Sequence, residues 1–193
     1  MISNDKHTMK LHPFLLTVCL LALPLGASAQ RFSVGTNAVD WITLGTINAE
    51  ASVAASQHIS VHIGAELNPW TFRAGEQDRQ FQIRQNSYWG GVRWWPWHVY
   101  SGWWAGGDLR YTVYNEGGII KRETEEGNAF GAGAYGGYSI MLSEWWNLDL
   151  GFGILGGWKR YTRYACPLCG VVVDSGDAAF FVPDARIAIQ LIF

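Results

Sequence analysis

From Phe181 to Phe193 the chain alternates between two kinds of side chain. Phe181, Ala185, Ile187, Ile189, Leu191 and Phe193 fall on one side of an extended strand, and Val182, Asp184, Arg186, Ala188, Gln190 and Ile192 on the other. Successive residues of a strand point to opposite faces, so this period of two predicts a strand with one apolar face and one face bearing an acid, a base and an amide. A soluble sheet with a covered face reads this way. So does an outer-membrane barrel, apolar toward lipid and polar toward its lumen.

The same period recurs upstream. It predicts strands over Phe32–Asp40, Thr46–Ala55, Ile59–Trp70, Arg84–Trp95, Gly102–Asn115, Asn128–Leu142 and Trp146–Trp158, eight with the last. In Ile59–Trp70, for example, Ile59, Val61, Ile63, Ala65 and Leu67 oppose Ser60, His62, Gly64, Glu66 and Asn68. No stretch after residue 29 has the periodicity of a helix. After the first link the connections alternate short and long. Residues 56–58, 96–101 and 143–145 are tight; 71–83, 116–127 and 159–179 read as long polar loops. An even strand number puts the tight turns and both termini on one side and the long loops on the other. Outer-membrane barrels sort their loops this way, and a soluble sandwich has no reason to. The expected fold is therefore all-β, an eight-stranded antiparallel up-and-down transmembrane β-barrel over residues 30–193.

Composition sharpens this. The chain has 11 Trp and 23 Gly. Trp94, Trp95, Trp97, Trp103, Trp104, Trp145 and Trp146 flank tight turns, whereas Trp41, Trp70 and Trp158 sit at the opposite strand ends. Membrane barrels place aromatic girdles at both interfaces. From Trp146 to Trp158 a strand tilted near ~45° rises roughly 28 Å at about 3.3 Å per residue, close to the ~25 Å apolar band of such barrels. Gly131, Gly133, Gly137, Gly151, Gly153 and Gly157 fall mainly on inner faces, leaving room for Arg93, Arg110, Arg186 and the rings of Trp89 or Tyr135.

Residues 1–29 read as a cleaved secretory signal: Lys6 and Lys10, a short apolar run from Phe14 to Leu25, then Ala27-Ser28-Ala29. Export to the outer membrane of a Gram-negative bacterium follows. The net charge of -2 gives no reason to expect nucleic acid. No cofactor is expected.

The inward ionisable set is Glu50, His62, Glu66, Arg93, Asp108, Arg110, Asp149, Asp184 and Arg186. A filled lumen must pair its charges, so an interior ion-pair network is the first reading. A narrow ion path, with the chain a pore or transporter of small solutes, is a second. A lipid-modifying enzyme is a third, but it needs a nucleophile beside a base, and no serine is so placed. Cys166-Pro167-Leu168-Cys169 lacks the βαβ setting of a redox motif and the four ligands of a zinc site, so a local disulfide is expected. Glu123-Thr124-Glu125-Glu126 reads as a solvated loop tip.

Thr36-Asn37, Asn48-Ala49-Glu50 and Asn68-Pro69-Trp70 carry a resemblance. With them the chain resembles small outer-membrane barrels of the OmpA-like superfamily, and more closely an uncharacterised Bacteroidetes family known only as a domain of unknown function. The resemblance covers Phe32 to Phe193. It implies no catalytic residues, and it implies a surface role alongside fimbrial or adhesin systems. The expected function is thus non-enzymatic, structural or surface-interacting. The expected partners are outer-membrane lipid, the barrel-assembly machinery through the strand ending at Phe193, and surface or fimbrial proteins, with the chain itself a monomer.

Overall fold

The computed structural model describes residues 31–43, 45–75, 80–118 and 122–193. The expected signal segment, residues 1–29, lies outside them, as do residues 76–79 and 119–121 of two expected loops. The described chain forms β1 (Phe32–Asn37), α1 (Ala38–Ile42), β2 (Ile47–Ala54), β3 (Ile59–Asn68), β4 (Thr71–Phe72), β5 (Phe81–Trp94), β6 (Gly102–Gly117), β7 (Thr124–Met141), β8 (Trp146–Tyr164) and β9 (Val172–Ile192). All strand pairs are antiparallel. The nine-stranded sheet runs β3-β2-β1-β9-β8-β7-β6-β5-β4, and β3 also pairs β5, so the sheet returns on itself as a ring. The all-β expectation holds.

Three features differ from the sequence reading. The strand count is nine, because Thr71–Phe72 pairs with Gln82 and Phe81. Its Phe72 ring stacks on Phe81 at 4.7 Å. Residues 38–42 are a helical turn rather than the end of a strand. Asn37 caps it, accepting a hydrogen bond from the Val39 N–H. A five-residue helix is too short to display a period. Finally, the long loops are largely strand: β6 and β7 run on through residues 116–117 and 124–127, and β8 and β9 through 159–164 and 172–179. Both faces of those segments carry polar groups, so the alternation that marks a half-buried strand is absent. Their Thr, Tyr and Val still favour extended backbone.

Burial is inverted relative to a soluble sheet. Val61, Ile63, Leu109, Phe152, Phe181 and Ile187 are exposed, whereas Glu50, His62, Arg93, Asp149 and Gln190 are buried. The main apolar cluster sits at one end of the ring, where Trp95, Val99, Tyr100, Trp104 and Ile192 pack together beside the tight turns; Tyr114, Leu155 and Ala188 are buried outside it. Trp95 and Trp104 therefore depart from the expected interface girdle: they are 0% and 4% exposed. A Trp next to a turn can serve the interface or the interior, and only the direction of its strand residue decides. The other expected interface aromatics, Trp94, Trp97, Trp103, Trp145, Trp146 and Trp158, are exposed.

The inner glycines make space chiefly for rings. A Cβ on Gly151 would lie 2.9 Å from the Trp104 indole, and one on Gly153 or Gly133 would overlap Tyr135. A Cβ on Gly106 would meet the Val92 carbonyl at 2.6 Å and the Arg93 side chain at 2.9 Å. Trp104 is buried against Trp95, with the Arg93 guanidinium over its ring, so its indole has little room to retreat. Gly151→Ala is therefore expected to lower unfolding stability by about 1–3 kcal/mol. Denaturant unfolding followed by tryptophan fluorescence checks this. The same substitution in a Trp104→Leu background should then cost little.

Candidate functional site

Alternation places Glu50, His62, Arg93, Asp149 and Arg186 on strand faces that turn into the ring, and closure of β3 onto β5 brings them together. Glu50 on β2 is the hub. Arg93 donates to it at 2.7 Å, Arg186 donates through both terminal nitrogens at 2.8 and 3.0 Å, and the Trp89 indole N–H donates at 3.1 Å. Asp149 accepts from Gln190 at 2.8 Å and from Arg186 Nε at 3.3 Å, with Arg93 at 3.8 Å. A second group sits beside it: Arg110 pairs with Asp184 at 3.2 Å and Asp108 at 3.9 Å, and the Tyr135 hydroxyl donates to Asp108 at 3.3 Å. The guanidiniums of Arg93 and Arg110 lie over the Trp104 and Trp89 rings at 4.9 and 5.0 Å. These two cations thus have both a carboxylate and a π face, an arrangement that suits a water-poor interior.

Seven of the nine expected interior residues join these two groups. Glu66 accepts from Gln85 instead. His62 is 4% exposed, and its Nδ1 has no hydrogen-bond partner among the described residues. A cavity of about 50 Å³ lies between the groups, lined by Glu50, His62, Arg110 and Tyr135 among others. A water needs about 10–15 Å³, so the space suits a few waters and nothing larger.

Sequence reasoning missed a second cluster. β6 to β9 extend beyond the level of Phe130 and Trp158, which are register partners. There Glu125 accepts from Lys159, Arg163 at 2.9 Å and the Tyr114 hydroxyl at 2.8 Å. Glu126 accepts from Asn115 at 3.0 Å and Tyr164 at 2.6 Å. The acidic run read as a loop tip is therefore a tied strand. Burial alone would push the Glu125 carboxyl up, but hydrogen bonds from Lys159, Arg163 and Tyr114 outweigh it and hold it below the ordinary range. A carboxyl lowered in the folded state stabilises above its unfolded pKa, and that contribution is lost as pH falls through the folded value. Acidification below the carboxylate range should therefore loosen this end of β7 and β8 first. A fall in amide protection there, measured relative to the intrinsic exchange rate at each pH and absent in Glu125→Gln, checks it.

Two of the three motifs behind the resemblance meet where β1 gives way to α1, and the third ties to the link that leads into β2. Asn48 donates to the Asn37 carbonyl at 2.9 Å and accepts from its N–H at 2.7 Å. The Asn37 side chain in turn accepts from the Ile187 N–H at 2.9 Å and donates to the Ala185 carbonyl at 3.3 Å. Asn68 donates to Thr46 at 2.8 Å, and the Trp70 indole donates to the Gly45 carbonyl at 3.0 Å. Side-chain amides thus stand in for ladder bonds where the short β1 ends. Cys166 and Cys169 are disulfide-bonded in the turn between β8 and β9.

A family model described as Protein of unknown function (DUF3575) matches residues 15–193. The chain belongs to this family. DUF3575 is an uncharacterised family, which agrees with the resemblance at that level, and its description assigns no activity. Among proteins of curated function none matches this chain. What a DUF3575 chain does must therefore be argued from the inverted burial and the interior network.

Proposed function

We propose that the chain is an eight-stranded up-and-down barrel of the outer membrane, OmpA-like in build, with a structural or surface-interaction role and no catalytic cycle. The carrying observation is the inversion: charged and amide side chains are buried, while Ile63, Leu109, Phe152 and Phe181 are 58–70% exposed. Water would penalise that exterior; hydrocarbon would not. With β4 set aside as an appendage, the closed circuit has the even strand number that such barrels use. Following register partners from Ile59 through Trp94, Ala105, Gly136, Phe152 and Ala185 climbs steadily, and its extension gives a stagger of about ten residues per circuit, the inclination a small barrel needs.

The interior supports a plug more than a pore. Arg93 and Arg186 bridge Glu50 and Asp149 across the space, and the Trp95–Trp104 cluster fills one end. Purified protein in planar bilayers is expected to show no defined conductance steps; stable unitary steps would favour the solute-pore reading. In envelope fractions the protein should resist extraction by salt or carbonate. It should also migrate faster on gels unheated than boiled, as a folded barrel does. Recovery as a freely dissolved periplasmic protein would overturn the proposal. The surface role, including any fimbrial association, rests on the extended β6–β9 wall described above.

A further inference from the structure

On the outer face of the ring Tyr88, Tyr111, Phe130 and Trp158 form an unbroken aromatic row, each the register partner of the next and all exposed. The next outward residue of each strand lies two positions further from the tight turns. Those residues make a second row of Leu67, Asn86, Val113, Asn128 and Arg160. A third row follows with Arg84, Asn115, Glu126 and Thr162. Between the second and third rows runs a trough of about 580 Å³. A smaller hollow of about 250 Å³ lies among Ile47, Leu67 and Tyr88. Its floor is Ala49 and Ala65, themselves register partners, which reach no further than a methyl. Leu67 and Asn86 line both spaces, so the two are one groove. Its apolar end is level with the aromatic row, since Ala65 is the register partner of Tyr88. Its polar end lies beyond that row.

Two of the three charges in the trough are already engaged. Glu126 accepts from Asn115 and Tyr164, and Arg160 donates to Asp177. Arg84 is exposed and has no hydrogen-bond or ion-pair partner among the described residues. The unmatched charge is therefore one guanidinium. Asn86 and Asn128, exposed in the second row, likewise have no partner for their amides among the described residues. We infer that this groove holds one phosphate-bearing glycolipid of the surrounding leaflet. An acyl chain lies over Ala49 and Ala65, a phosphate meets Arg84, and sugar hydroxyls meet the amides of Asn86 and Asn128. This rests on the membrane reading of the proposed function and names the lipid class it selects. A guanidinium matches a phosphate through parallel N–H···O bonds. An amide both donates and accepts, as a sugar hydroxyl does. A wholly hydrophilic ligand would leave the apolar end empty. A water-soluble protein would have to displace lipid at the depth of the aromatic row to reach it. An amphiphile fills both ends at once.

The test is native mass spectrometry of the full chain, refolded from urea into detergent so that native lipid is removed. Three probes are added in equal amounts: lipid A, phosphatidic acid and an uncharged diglucosyl lipid. Lipid A carries both sugar and phosphate and should give the dominant one-lipid adduct. Arg84→Gln should weaken lipid A about tenfold, the worth of one charge-assisted hydrogen bond, and leave the uncharged glycolipid unchanged. Ala65→Phe fills the apolar end and should weaken both glycolipids. Ile154→Phe places the same ring at an exposed position of β8 outside the groove and should change neither. All three positions face outward, and the gel mobility of unheated protein confirms that each variant is folded. Equal retention of lipid A and phosphatidic acid would overturn the inference. So would lipid A binding that is unchanged in Arg84→Gln or in Ala65→Phe. A chain that inserts into vesicles yet shows no lipid preference overturns this inference alone. One that dissolves without detergent overturns the membrane reading and this inference with it, before any lipid is added.

Discussion

Replacing Glu50 by Ala is expected to be the most damaging single change to the interior. Two guanidiniums and an indole N–H converge on this one carboxylate. Without it, Arg93 and Arg186 share Asp149 alone among the described carboxylates, and the small cavity beside them offers only a few waters in its place. Removing one member of a buried ion pair costs about 3–5 kcal/mol, because the other charge stays behind. The pairing here is two cations to one anion, so the upper end of that range is expected. The measurement is urea unfolding of detergent- or lipid-folded protein, read by tryptophan fluorescence. Arg186→Met in the Glu50→Ala background should restore part of the loss by removing a stranded cation. Glu50→Ala within about 1 kcal/mol of the parent would mean that the interior is wetter than its geometry implies.

Leu109→Arg is the second large expectation, and it acts on the opposite face. Leu109 is 58% exposed on β6, between Trp103 near the tight turn and Tyr111 toward the far end. In water an arginine at an exposed strand position changes stability by no more than about 0.5 kcal/mol. In hydrocarbon near the midplane of a barrel the cost is about 2–4 kcal/mol. The two environments therefore predict different results from one substitution. Folding equilibria in lipid vesicles measure it, and Leu109→Ala separates lost contact from added charge. A Leu109→Arg chain as stable as the parent would remove the lipid-facing assignment of β6.

Both expectations start from alternation, and alternation was legible. A period of two needs no tertiary knowledge, because a strand must send successive side chains to opposite faces. It assigned Glu50, Arg93, Asp149 and Arg186 to one shared side, and the structure joins them. It also separated Ile63 and Leu109 from His62 and Arg110. Cys166 and Cys169 were expected to bond because neither a redox nor a zinc setting surrounds them and export would bring them to an oxidising compartment, and the structure joins them.

Other elements were illegible for reasons that can be named. α1 is shorter than two helical turns, so no period marks it. The continuations of β6 to β9 carry polar side chains on both faces, so contrast between faces disappears even though the backbone stays extended. Lys159, Arg163 and Glu125 are far apart in the chain and meet only because β7 and β8 pair in register. Trp95 and Trp104 were grouped with the interface aromatics because they flank turns, although Trp104 alternates with Asp108 and Arg110 on the inner face; Gly137 and Gly151 leave space for its ring there.

The sequence by itself determined which side chains share a face, and hence that the charged set lies on one side of the strands and the apolar set on the other. That follows from local backbone geometry. The tertiary structure alone decided which carboxylate holds which arginine, that Glu50 is the hub, and that β9 outruns β1. Those facts depend on register and ring closure, which are set by strands far apart in the chain. No local pattern encodes the distance between their ends.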